Sequence, residues 1–175
     1  MKTRDMAYIA LMAVLISVCS WLSVPSVIPF TMQTFGVFAA LLLLGGKRGS
    51  IAVLLYILMG AGGLPVFSNF TGGGGKLMGP SGGYIFGFLL TALCYWLMTA
   101  FLGDRLWIKI LALTAGLVLC YAFGTLWFVE VYSRSEPIGI MSALSMCVFP
   151  FMVPDAIKMA LALAVEKLLK NKIKI

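Results

Sequence analysis

Apolar residues run along this chain in long blocks, and polar residues collect in the short gaps between them. Blocks at roughly 6–24, 32–45, 49–63, 82–102, 107–131 and 153–170 each predict a helix. The first, MAYIALMAVLISVCSWLSV (Met6 to Val24), carries no charge and is long enough to cross a hydrocarbon core of about 30 Å. It ends in WLSVPSVIP, without the small-residue pattern of a cleaved signal, so a retained membrane helix is expected.

The second and third blocks, FGVFAALLLLGG and SIAVLLYILMGAGG, are joined at Lys47-Arg48, which leaves room only for a turn. At 1.5 Å per residue, about 14 helical residues reach only about 21 Å. Other segments must complete those crossings. Two irregular stretches lie where the missing length would be: the proline-bearing SVPSVIPFTMQT (Ser23 to Thr34) and the glycine-rich GLPVFSNFTGGGGKLMGPSGGY (Gly63 to Tyr84). The expected fold is an all-α integral membrane protein with one domain, residues 1–175. It has six transmembrane helices, and a glycine-rich extracellular or re-entrant loop lies between the third and fourth.

Composition agrees: 62% of the 175 residues are apolar and 11% charged, with a mean hydropathy of +1.06. Charge sets the orientation. If six spans alternate, Lys2, Arg4, Lys47, Arg48, Arg105, Lys109, Lys167, Lys170, Lys172 and Lys174 share one side. Lys76, Arg134 and Lys158 fall on or near the other. The excess of positive charge marks the cytoplasmic side, which places both termini there in a multi-pass protein of the cell membrane. The net charge of +7 then reflects topology, and no nucleic-acid partner is expected.

The chain has no histidine, which removes the commonest metal ligand and the Ser-His and Cys-His nucleophilic arrangements. Cys19, Cys94, Cys120 and Cys147 show no metal-binding spacing, and neither a catalytic residue nor a metal is expected. GGGGK (Gly72 to Lys76) is not a phosphate loop: Phe70 and Leu77 stand where that motif needs glycine and a hydroxyl residue. Gly83 and Gly87 read as close packing between helices.

Irregular backbone at membrane depth survives where it is buried in protein or lines a cavity. Glycine-rich and proline-interrupted stretches beside short spans therefore point to a binding site. In the glycine ribbon, Ser68, Asn69, Thr71, Ser81 and Tyr84 offer polar groups, and Phe67 and Phe70 offer flat apolar walls. A second constellation, CVFPFMVPDAIKMALAL, puts Asp155 and Lys158 at i and i+3 on one helix face, with Pro154 expected in the first turn. Ionisable groups inside an apolar segment are costly and mark a functional site by default; mutual pairing at a helix start is the plainer reading. Tyr121 and Thr125 share a face of the fifth block, and Trp127 suits a membrane-interface anchor.

The run PFTMQTFGVFAALLLLGGKRGSIAVLLYILMGAGGLPVFSNFTGGGGKLMGPSGGYIFGF (Pro29 to Phe88), followed by VFPFMVPDAIK, resembles the BioY family, the biotin-binding S components of energy-coupling factor (ECF) transporters. The resemblance implies capture of biotin from outside, with no cofactor of the chain's own. The implied partners are a transmembrane coupling (T) subunit, two ATP-binding-cassette ATPases, which would use the ATP, and membrane lipid. The expected substrate contacts are Asn69 and Asp155 on the ureido ring, Lys158 on the carboxylate (or, with biotin reversed, on its other end), and Tyr84 and Phe67 on the bicycle, with Thr34 and Gly73 completing the set. Ala10, Ala13 and Ser17 are the nearest match to the small-residue face that S components turn to their transport partner. Rival readings are an S component for another vitamin and a self-sufficient ion-coupled carrier. An aspartyl intramembrane protease would need a second embedded carboxylate beside Asp155.

Overall fold

In a computed structural model of the chain, residues 2–24, 28–133 and 138–170 are described. Arg134, Lys172 and Lys174, which entered the charge argument, lie outside the described residues. Helix α1 (Thr3–Trp21) leads into two short antiparallel strands, β1 (Ser23–Val24) and β2 (Phe30–Thr31). Then come α2 (Gln33–Ala61), a 3-10 turn (Ser68–Phe70), α3 (Gly74–Met78), α4 (Gly82–Leu102), α5 (Leu106–Tyr132), α6 (Ile140–Cys147) and α7 (Phe149–Lys170). Among the described residues, five helical runs are long and apolar enough to cross a membrane: α1, α2, α4, α5 and Ile140–Leu169.

Helix α2 is not one straight rod. Gly45 breaks it with φ 77° and ψ 168°, a left-handed backbone that a side chain would strain. Beyond it the chain turns back on itself. A Cβ on Gly49 would meet the Leu41 Cα at 2.8 Å. Gln33 Nε2 lies 2.9 Å from the hydroxyl of Tyr56, two residues that a continuous helix would hold about 35 Å apart. The reversal falls where Lys47-Arg48 predicted a turn, so the second and third apolar blocks are the two limbs of a helical hairpin.

Helices α2, α4, α5, α6 and α7 pack in cyclic order, each on the next and α7 back on α2, while α1 lies against α2 from outside. Small residues set the spacing of α4 on α5. A Cβ at Gly87 would sit 2.6 Å from the Cys120 sulfur, and one at Gly83 would sit 2.3 Å from the Trp127 Cβ. The predicted small-residue packing is therefore between these two helices. Leu11, Val14, Phe101, Leu126 and Met141 stand exposed on the outer helix surfaces, as a hydrocarbon surrounding permits.

Three expectations change. Helix α7 begins at Phe149, so Pro154 lies inside it rather than in its first turn, and Pro150 takes a near-terminal place where a missing N–H costs nothing. Ala13 and Ser17 are buried within the fold, which leaves Ala10 exposed and breaks up the proposed partner-facing stripe. Trp127, expected as an interface anchor, has a structural tie instead: its indole N–H donates to the Gly79 carbonyl at 3.0 Å and holds the end of the glycine ribbon.

Candidate functional site

The cavity forms where the start of α2, the glycine ribbon, α4, α5 and the start of α7 converge. Ser68, Ser81, Tyr84, Tyr121, Asp155 and Lys158 contribute to its wall, together with Thr31, Gln33 and Thr34 from the entry to α2. It measures about 60 Å³. A water molecule takes up about 30 Å³ in the liquid.

Asp155 and Lys158, on one face of α7, are both 3% exposed. Lys158 Nζ lies 2.8 Å from Asp155 Oδ1 and donates to the Thr31 carbonyl at 2.7 Å. It also lies over the Phe30 ring, 4.4 Å from its centroid. The second carboxylate oxygen, Oδ2, accepts the Tyr121 hydroxyl at 2.6 Å. A buried ion pair survives only when its remaining hydrogen-bonding capacity is met, and here β2 and α5 meet it. Tyr84 hydrogen-bonds Thr125 at 3.1 Å across the α4–α5 contact. The face shared by Tyr121 and Thr125 thus carries one polar link to Asp155 and another to Tyr84.

A separate buried pair closes the other end of the α5–α7 contact. Lys109 lies 2.6 Å from Glu166 and 3.1 Å from Asp104. Lys109 therefore contributes less free positive charge to that side than its place in the charge count suggests.

The ribbon is tied down along its length. Phe67 N–H donates to the Thr71 carbonyl at 2.9 Å, and Gly73 N–H to the Gly60 carbonyl at 2.7 Å. From α1, the Trp21 indole donates to the Pro65 carbonyl at 2.8 Å, and the Ser20 hydroxyl donates to that of Val66. Partial burial lowers the pKa of the Lys76 ammonium on α3.

Of the residues predicted to touch substrate, Thr34, Tyr84, Asp155 and Lys158 meet at the cavity. Phe67, Asn69 and Gly73 do not line it. Phe67 is fully buried against Gly60 and meets Tyr56 edge to face, with ring centroids 5.5 Å apart. Asn69 is exposed, in a left-handed conformation, and accepts from the Ser23 hydroxyl at 3.0 Å. Gly73, at φ 86°, turns the ribbon into α3. Sequence reasoning missed Thr31, Gln33, Phe88, Cys147 and Phe151 on the cavity wall. For Thr31 and Gln33 a signal was present: two polar residues in the PFTMQT stretch that precedes a short span.

Comparison with known proteins follows the same lines. The BioY family model matches residues 1–174. "Biotin transporter BioY" of Thermotoga maritima is 38% identical over 169 residues, covering 96% of each chain. "Probable biotin transporter BioY" of Pyrococcus horikoshii is 35% identical over 172 residues, covering 98% of this chain and 99% of that one. Among solved structures, the S-component for biotin from an ECF-type ABC transporter superposes with a TM-score of 0.84 at 27% identity. That match covers 99% of this chain and 96% of the other.

Proposed function

Because the chain belongs to the BioY family, we propose that it captures biotin from outside the cell membrane as the S component of an ECF-type transporter. In this reading a coupling subunit and two ATPases supply the energy, and both termini face the cytoplasm. The family is one of transport proteins, not of enzymes. The observation that carries the reading is the buried Asp155–Lys158 pair opening on a cavity inside a ring of apolar helices. Such a pair is costly in hydrocarbon, and a ligand that uses both charges accounts for its retention.

The contact between the two side chains supports the reversed placement of biotin over the one that puts Lys158 on the carboxylate. Groups 2.8 Å apart meet the same end of a ligand. A carboxylate brought to Lys158 would face the Asp155 charge, whereas a ureido head suits both, its carbonyl accepting from Lys158 and an N–H donating to Asp155. In this reading the valerate tail points toward Ser68 and Ser81, and Tyr84 packs on the bicycle.

Small-molecule sites usually enclose about 300–1,000 Å³, so the cavity walls have to part to admit biotin. Thermal unfolding of the purified protein against a panel of vitamins tests the reading. Biotin at about 100 times its dissociation constant adds roughly 2.7 kcal/mol to the native state. A shift with a different vitamin instead would overturn the substrate. Uptake of biotin by vesicles that contain this chain without ATPases would favour the ion-coupled carrier.

Lys158→Ala is expected to weaken biotin and biotin methyl ester alike, each by about 10- to 100-fold for the loss of one charge-assisted hydrogen bond. A loss confined to free biotin would return Lys158 to the carboxylate.

A further inference from the structure

Helices α5 and α7 are tied by polar side chains at two levels, Tyr121 on Asp155 and Lys109 on Glu166. Between those levels Thr114 Oγ1 lies 3.9 Å from the Met159 sulfur. Outside that contact the helices part and leave a groove of about 650 Å³. It opens on the outer surface of the bundle, where Val118 and Met152 on its walls stand exposed.

The groove reaches from Ile110 to Ala122 on α5 and from Met152 to Leu163 on α7. At 1.5 Å per residue it runs for about 18 Å. Leu144 and Val148, in and just after α6, line one end, and α6 packs on both neighbouring helices. The Lys109–Glu166 pair stands at the other end, one residue before Ile110 and three beyond Leu163. The walls are almost wholly apolar, and their two hydroxyls are already used. Thr114 donates to the Ile110 carbonyl at 2.8 Å, and Tyr121 donates to Asp155. Water or a polar ligand has little to bond there.

An apolar occupant matches these walls, and length chooses between a helix and a lipid tail. A membrane-spanning helix follows a core about 30 Å thick and would have to run past both closed ends. One leaflet of that core is about 15 Å deep, close to the length of the groove. Charge points the same way. Lys167 lies one turn beyond Leu163 on the same face of α7, and Arg105 caps the start of α5; both are exposed. Basic residues in this position meet the phosphates of anionic lipid.

We propose that the groove binds one acyl chain of an anionic phospholipid, whose phosphate is met by Lys167 and Arg105. Tyr121 lines both this groove and the Asp155 cavity, so the tail lies against the outer side of a wall of the site. In the orientation proposed above the lipid belongs to the cytoplasmic leaflet; nothing else in the proposal rests on the biotin reading.

The test is native mass spectrometry of the full chain in detergent, with phosphatidylglycerol and phosphatidylcholine added in equal amounts. The wild type retains one phospholipid per chain and prefers phosphatidylglycerol. Ala160→Phe fills the groove from α7 and lowers the retained lipid by about tenfold, the effect of withdrawing one or two methylenes from burial. Lys167→Gln keeps the lipid and cuts the preference for phosphatidylglycerol by about fivefold, the worth of one lysine at an anionic surface. Leu97→Phe, on the exposed side of α4, changes neither.

Should Ala160→Phe fail to fold, Ala122→Phe fills the groove from α5 instead. A folded wild type that retains no phospholipid, or retains both kinds equally, overturns the proposal. So does a lipid count unchanged by the filling variant. Chain dimers that the filling variant abolishes would give the groove to a second copy and overturn it as well. Biotin-dependent unfolding, measured on the same samples, reports on the substrate separately.

Discussion

Asp155→Ala is expected to abolish biotin binding and to destabilise the protein by about 3–5 kcal/mol, the cost of stranding one member of a buried ion pair. Lys158 would keep the Thr31 carbonyl at 2.7 Å and the Phe30 ring, but no counter-charge at its ammonium. Tyr121 would lose its acceptor at the same time. The informative comparison is the double variant Asp155→Ala/Lys158→Met. It removes both charges and leaves an apolar chain of similar length, so stability should return to near that of the wild type while binding stays lost. Unfolding temperature and biotin titration on the two variants check this. If the double variant binds biotin normally, the pair is structural and the site lies elsewhere.

Gly124→Val is expected to remove binding by a different route. A Cβ at this position would lie 2.3 Å from the Tyr84 ring, so Tyr84 must leave its place on the cavity wall and its bond to Thr125. Overpacking of this kind costs about 1–3 kcal/mol. Biotin affinity should fall by more than about tenfold, because a displaced aromatic ring occupies space the ligand needs. Wild-type affinity in a folded Gly124→Val protein would show that Tyr84 is not a wall of the site.

Much of this architecture was legible because hydrocarbon demands long apolar runs. The block at 82–102 coincides with α4 (Gly82–Leu102), and Lys47-Arg48 marks the reversal of α2. Asp155 and Lys158 stood out since charge is rare in such runs, and their spacing already put them on one helix face. Helix facing was not legible. When lipid and protein interior are equally apolar, hydrophobicity carries no sense of inside and outside. Ala10 and Ala13 look alike in sequence, yet one is exposed and the other buried.

The ribbon was legible only in part: Ser68, Ser81 and Tyr84 reach the cavity wall, while Asn69 and Phe67 do not. Polar side chains there suggested ligand contacts, but Asn69 takes a left-handed turn conformation that faces it outward, and Phe67 fills the hollow over Gly60. Gln33 stood in the polar PFTMQT stretch, but no periodicity there says which residue of it turns to the cavity. Its place is fixed by Tyr56, more than twenty residues away on the other limb of α2.

The reversal at Gly45 also bears on how the chain enters the bilayer during synthesis. The limb at 33–44 is about 18 Å long and that at 46–61 about 24 Å, both short of the thickness either would have to span alone. Neither is long enough to span alone, so the two are expected to insert as a pair, with Lys47 and Arg48 together at the bend. The Gln33–Tyr56 hydrogen bond joins the leading ends of that pair. An amide and a phenol that would each resist hydrocarbon cross with their polar groups already matched.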